Sequence, residues 1–314
     1  MSHSRLDQES VILSEAKDLK TRNIMKLYKY QGAGNDFLIA DNRNGAIREA
    51  EGVLYVAAED GSESVYKIHD LCDRRYGIGA DGLMLLDAAP AGYDFKMTYF
   101  NSDGSGGMMC GNGGRCIVAF AADCGVRNFE FVAADGPHSA QIISSDEKAK
   151  VVRLKMKDVA GYSEYDALTG TSAPSKGLFL DTGTRHYVRF VENLPEYDIV
   201  GEGRDIRWNA EQLKPIGANV NFVEPLNGVI SVRTYEKGVE DETFACGTGI
   251  VASCLASYII GVEPTAREEG GRLRYDVKAK RDDLAVDFIP SAPDGLAQDV
   301  WLTGPATYVA EIIL

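Results

Sequence analysis

Along most of this chain, apolar and polar positions alternate with the period of two that a half-buried strand requires. From Met25 onward the pattern predicts strands at 26–30, 37–41, 82–86, 95–100 and 128–133. The second half repeats that texture at 141–144, 151–156, 178–182, 187–191, 218–223 and 229–235. Further short strands are predicted at 272–279, 284–288 and 300–302, and a closing segment at 307–314. Three segments read as helix instead. Residues 66–76 set Ile68, Leu71 and Cys72 at helical spacing, while 113–122 and 247–260 are apolar nearly all round. A helix with no polar face belongs inside its own domain. Residues 49–63 carry Val53 and Tyr55 between polar neighbours, with Gly61-Ser62 at a turn, and predict a surface hairpin. Residues 1–24 show no apolar core and no secretory pattern. They read as a disordered extension ahead of Met25, with a short helix over 11–19 as the alternative.

The two apolar helices open in the same way. One is approached through Met109-Cys110-Gly111-Asn112-Gly113, the other through Ala245-Cys246-Gly247-Thr248-Gly249. A Cys-Gly-x-Gly element therefore stands once in each half, behind strand and loop and ahead of a buried helix. The separation is too long for a solenoid repeat and suits two copies of one domain. Two pseudo-symmetric halves with one thiol each are expected.

Composition narrows what such halves can do. The 314 residues suffice for two domains of about 150. With 33 Lys+Arg against 47 Asp+Glu, the net charge is −14, which excludes nucleic acid as a partner. Apolar stretches such as 117–122 and 251–260 are too short or too mixed to cross a bilayer, so no membrane partner is expected. The six cysteines, at 72, 110, 116, 124, 246 and 254, are expected to be reduced, in a cytoplasmic chain. Close metal-binding pairs are absent, and no metal is expected. Cys72, Cys116, Cys124 and Cys254 read as small buried hydrophobes.

Cys110 and Cys246 read differently. A cysteine at the mouth of a helix meets unpaired N–H groups and the positive end of the dipole, which should lower its pKa toward neutrality. Gly111, Gly113, Gly247 and Gly249 would let a ligand carboxylate lie against backbone N–H groups. If the halves face each other, a carbon held between the thiols could lose a proton to one face and regain it from the other. That is inversion of a stereocentre by two bases.

The chain resembles the diaminopimelate epimerase family from Met25 to Leu314. The resemblance is carried by Gly32-Ala-Gly-Asn35-Asp-Phe37, Asp73-Arg-Arg-Tyr-Gly77-Ile-Gly-Ala-Asp81, Phe100-Asn101-Ser-Asp-Gly104 and Met109-Cys110-Gly-Asn-Gly-Gly-Arg-Cys116. It continues through Thr182-Gly-Thr-Arg-His186, Gly217-Ala-Asn219-Val-Asn-Phe222, Tyr235-Glu236-Lys-Gly238 and Glu242-Thr-Phe-Ala-Cys246-Gly-Thr-Gly249. It implies an α/β fold of the α+β type: two pseudo-symmetric domains, each a curled, mostly antiparallel sheet around a central buried helix. The first would span 25–135 with a returning strand at 303–314, and the second 136–302.

The resemblance also implies roles. Cys110 and Cys246 match the two catalytic bases, His186 a residue assisting the first thiol, and Glu236 one beside the second. Gly111, Asn112, Gly247 and Thr248 match the cradle of the reacting carboxylate. Asn35, Asn101 and Asn219 match side chains on the substrate, the latter two at its far end. The implied reaction interconverts LL- and meso-2,6-diaminopimelate without a cofactor, on the route to lysine and peptidoglycan. The implied partner is a small-molecule amino acid, and a homodimer is left open.

Three positions depart from the family pattern. Gly82 stands where many members have Gln, Thr184 where they have Asn, and Lys237 where they have Arg. All three bear on the far end of the substrate, and another amino-acid epimerase with the same thiols is the alternative. Gly77-Ile-Gly79-Ala-Asp-Gly82 also satisfies a dinucleotide fingerprint, but a helical pattern precedes it and a strand follows, the reverse of the required order.

Overall fold

The computed structural model describes residues 25–58, 60–107, 109–166, 176–226, 228–291 and 295–314. The N-terminal extension, with its alternative helix at 11–19, lies outside them. The first half runs β1 (Lys26–Gly32), β2 (Asn35–Asn42), β3 (Ile47–Ala50), β4 (Val53–Ala57), β5 (Glu63–Lys67), α1 (Ile68–Cys72), β6 (Gly82–Asp87) and β7 (Phe95–Asn101). It continues with α2 (Gly111–Asp123), β8 (Glu130–Ala133), β9 (Gly136–Ser145) and β10 (Ala149–Lys155). The second half runs β11 (Tyr162–Asp166), β12 (Lys176–Asp181), β13 (Arg185–Phe190), α3 (Ile199–Asn209), β14 (Asn219–Leu226), β15 (Val229–Glu236) and β16 (Asp241–Thr243). It closes with α4 (Gly247–Ile259), β17 (Ala266–Arg267), β18 (Leu273–Lys278), β19 (Asp283–Pro290) and β20 (Ala297–Ile313).

The two halves pair their strands step for step. In the first, β1–β2 is antiparallel, β2–β6 parallel, β6–β7 antiparallel, β7–β8 parallel and β8–β9 antiparallel. In the second, β12–β13, β13–β14, β14–β15, β15–β18 and β18–β19 repeat that order of directions. Each parallel step needs a crossover, and the crossovers are where the helices lie. This is the pseudo-symmetric, mostly antiparallel α+β fold expected from the sequence.

The central helices are built alike. Residues 116–121 of α2 are all buried, and Phe120 packs on Tyr28 and Tyr30 with ring centroids 5.0 and 5.8 Å away. Burying such a side chain contributes about 1.5–3 kcal/mol. On α4, residues 249–257 are buried, and Ser253 and Ser257 satisfy their hydroxyls on the carbonyls of Gly249 (2.7 Å) and Ser253 (2.9 Å). Both helices stop at a glycine with positive φ, Gly125 and Gly261, the usual αL terminator.

Several features differ from expectation, the short strands β11, β16 and β17 among them. Segments 300–302 and 307–314 are one strand, β20, because β10 carries the pairing straight through Gly304-Pro305. β20 also pairs with β19 and with β1, joining both halves into one network of 17 strands. The division expected after residue 135 falls in the turn of the β8–β9 hairpin, and β9 and β10 pack on α2 with the earlier strands. The helix at 66–76 shrinks to α1 because Tyr66 and Lys67 belong to β5, which with β3 and β4 enlarges the expected hairpin to three strands. Finally, α3 forms despite Gly201 and Gly203, which depress helix propensity. Asp198 caps it by accepting from the Gly201 N–H at 2.8 Å, and Gly203 lets it lie on Tyr235, which a Cβ would approach to 2.4 Å.

Candidate active site

The two central helices aim their N-termini at each other. A Cβ on Gly247 would stand 3.4 Å from the Gly111 Cα, and one on Gly111 3.6 Å from the Gly247 Cα. Each would also press on Leu302 Cδ2 of β20, at 3.1 and 3.2 Å, so a side chain here would require Leu302 to shift. Cys110 and Cys246 occupy the N-cap positions, and each carbonyl accepts the first helical bond at 2.8 Å, from Gly114 and Ile250. The Gly113 N–H donates to Cys110 Sγ at 3.2 Å, whereas Cys246 Sγ lies 3.5 Å from Thr248 Oγ1. Both cysteines line a cleft of about 620 Å³ between the halves.

The thiol pKa values run opposite to the sequence expectation. Helix N–H groups do favour thiolate here, but burial outweighs them. It pushes Cys110 up, against the Gly113 N–H and the Arg115 charge, and Cys246 up to about 12, with Glu236 adding to the rise. Cys246 is the more enclosed of the two, whereas Cys110 is exposed to the cleft, so the rise is firmer for Cys246. A substrate bringing an α-ammonium supplies the opposite charge that lowers a thiol pKa. Glu236, at the end of β15, lines the cleft and couples to both thiols, and burial raises its own carboxyl.

His186 on β13 is 0% exposed and lies behind the cleft wall. Asn221 Nδ2 donates to its Nδ1 at 3.0 Å, which leaves the proton on Nε2, 2.8 Å from Thr184 Oγ1 and 2.9 Å from Thr248 Oγ1. The resemblance assigned His186 to Cys110. Its hydrogen bonds run instead to Thr184 and Thr248, and so toward Cys246, because β13 lies beside α4. Burial lowers its pKa to about 3, which favours the neutral imidazole. In the unfolded chain the same imidazole titrates near 6.5. Below that pH the unfolded chain takes up a proton that the folded site refuses. The stability present above 6.5 should thus fall by about 1.4 kcal/mol per pH unit on the way toward the folded value. Urea melts between pH 7 and 4.5 should show a shallower loss for His186→Gln; equal losses would refute the assignment.

The remaining expected residues converge as well. Asn112 Nδ2 donates across the junction to the Ala245 carbonyl (3.0 Å) and to Asn35 Oδ1 (2.7 Å), and Asn35 Nδ2 donates to Asp81 (2.8 Å). Asn101 bonds Ser105 within its own loop, and Asn219 accepts from the Lys237 N–H at 2.8 Å. Thr184 bonds Thr248 (2.9 Å) at the lip. Lys237 lines the cleft and forms no ion pair among the described residues.

Sequence reasoning missed Asp81, Tyr99 and Asn221. Asn221 shares a strand face with Asn219 at period two, a readable signal. The backbone of β7 and Tyr99 together explain the departure at Gly82. A Cβ there would stand 2.5 Å from the Phe100 carbonyl oxygen and 2.6 Å from Tyr99 Cε2, and one on Gly107 2.4 Å from Tyr99 Cδ1. Among the described residues, no group of His, Cys, Asp and Glu is placed to hold a metal, and no helix is long and apolar enough to cross a membrane.

The fold recurs in solved structures of low sequence identity. A PhzF-family phenazine biosynthesis protein from Bacillus anthracis is 12% identical with a TM-score of 0.61, covering 93% of this chain and 99% of that one. A probable proline racemase from Agrobacterium radiobacter is 15% identical with a TM-score of 0.61, covering 92% of each chain. The two-domain fold is thus shared with both of these proteins. The pattern of the family described as diaminopimelate epimerase matches residues 27–159. The diaminopimelate epimerase of Flavobacterium psychrophilum is 39% identical over 290 residues, 91% of this chain and 99% of that one. That of Chlorobaculum tepidum is 38% identical over 284 residues, 88% of this chain and 96% of its own. The chain belongs to the diaminopimelate epimerase family.

Proposed function

We propose that this chain interconverts LL- and meso-2,6-diaminopimelate, a step on the route to lysine, by passing one α-proton between Cys110 and Cys246. The observation that carries the reading is the meeting of two cysteine-capped helix N-termini, held at contact distance by Gly111 and Gly247. The reacting carboxylate lies on the N–H groups of that cradle, where helix dipoles favour an anion. One sulfur, as thiolate, removes the α-proton from one face. The electron pair spreads into the carboxylate, and the opposite thiol gives its proton to the other face. Lys237, without an ion-pair partner among the described residues, would meet the far carboxylate beside Asn219, while Tyr99 takes the room opposite Asn101.

Reduced protein incubated with LL-diaminopimelate in D2O should form the meso product carrying one solvent deuterium at the inverted carbon. Meso product without deuterium would overturn the two-base mechanism. Absence of product, with folded protein and free thiols, would overturn the substrate and direct the same assay to other amino acids.

A further inference from the structure

Arg115 is the fifth residue of α2 and is 0% exposed. Its side chain runs back toward the helix N-terminus, as long helical side chains do. Nε donates to the Pro305 carbonyl at 3.3 Å, Nη1 to the Gly111 carbonyl at 3.2 Å and Nη2 to Asn112 Oδ1 at 2.8 Å. Every one of these acceptors is neutral, and Arg115 forms no ion pair among the described residues. A guanidinium does not shed its proton in a protein, so a full positive charge is buried here without a counter-ion. It also sits at the positive end of the α2 dipole, the end that disfavours cations. An apolar side chain would pack in this place at lower cost. The placement makes sense if an anion forms beside it that the empty protein does not contain.

Two thiols couple to this charge more strongly than any carboxylate does, Cys116 and Cys110, with Asp282 the weaker third. Cys116 is sealed in the core and stays neutral. Cys110 opens onto the cleft. The other groups facing Cys110 are Glu236 from β15, Tyr99 from β7 and Cys246 at the head of α4, none of them cationic; Asp81, Lys237 and Arg185 line the same cleft. Arg115 has a second hold on the site. By occupying Asn112 Oδ1 it fixes which way that amide points, so that Asn112 Nδ2 bridges to Asn35 and, across the junction, to Ala245 beside Cys246.

We propose that Arg115 is a positioning residue of the epimerisation. Its charge stabilises the thiolate of Cys110 and the second negative charge that the reacting carboxylate gains as the α-proton leaves. Its Nη2–H locks Asn112 across the two halves. The proposal rests on the two-thiol reading of the cleft.

The test separates charge from hydrogen bonding with Arg115→Lys and Arg115→Gln in the full chain. The rate of iodoacetamide labelling of Cys110, read by peptide mass spectrometry across pH 7–11 to span a thiol held above its ordinary range, reports the thiolate and needs no turnover. Arg115→Gln should move the labelling midpoint up by about one pH unit and lower kcat by about 10²-fold with little change in KM. Arg115→Lys should keep the wild-type labelling profile and lose about 10-fold in kcat, because Asn112 is no longer held. A folded Arg115→Gln that labels and turns over as wild type would overturn the proposal. If Gln does not fold, a shift in the Lys labelling profile equal to one pH unit would overturn it equally. A wild-type chain that labels normally but leaves diaminopimelate unchanged would fail the functional reading alone.

Discussion

Alanine at Cys110 or at Cys246 will abolish inversion, with a loss of at least about 10³-fold, while the fold persists. Both residues stand at helix N-caps and line the cleft, and each helix keeps its first backbone bond at 2.8 Å whatever side chain stands there. The informative measurement is deuterium exchange. A single remaining sulfur can still remove the α-proton from the one epimer that presents it, and can return a solvent deuteron to the same face. Each variant should therefore exchange one epimer only, without inverting it, and the two variants should choose opposite epimers. If either variant inverts at near the wild-type rate, or if both exchange the same epimer, the thiols do not stand on opposite faces.

Gly249→Ala has the second largest expected effect. A Cβ there would lie 2.3 Å from Asn221 Oδ1 and 3.2 Å from His186 Cε1, and all three residues are buried. Asn221 must move, which breaks its bond to His186 Nδ1 and the one it accepts from Thr234 Oγ1 at 3.0 Å. Overpacking costs about 1–3 kcal/mol, and stranding a buried polar group costs a similar amount. A loss of about 3 kcal/mol in urea unfolding is expected, together with a larger loss of kcat as the α4 N-terminus shifts Cys246. Gly161→Ala, where a Cβ meets nothing within 4 Å, should change neither. A Gly249→Ala protein as stable and active as the control would show that the α4 N-terminus has slack.

What the sequence made legible was local. The Cys-Gly-x-Gly elements could be read because capping, close glycine approach and an apolar helix are all encoded within about fifteen neighbouring residues. What it hid depends on partners far away along the chain. α3 was missed because its glycines argue against a helix until Tyr235 is known to lie beneath it. Tyr99 was missed because its claim on Gly82 and Gly107 exists only once β6 and β7 are paired. A motif also shows the N–H groups that favour a thiolate but not the burial that raises the Cys246 thiol. Arg115 stood inside a quoted motif, yet its isolation from carboxylates is a fact of three-dimensional packing.

The placement of β20 has a consequence for how the molecule is made. β1 and β10 each pair with it on one edge, and α2 packs against it, so the earlier half lacks its central seam until the final residues exist. During synthesis that half leaves the ribosome first, with two open strand edges and a helix only partly covered. β20 thus closes the edges of β1 and β10 while also pairing with β19, so its loss would open pairings in both halves at once.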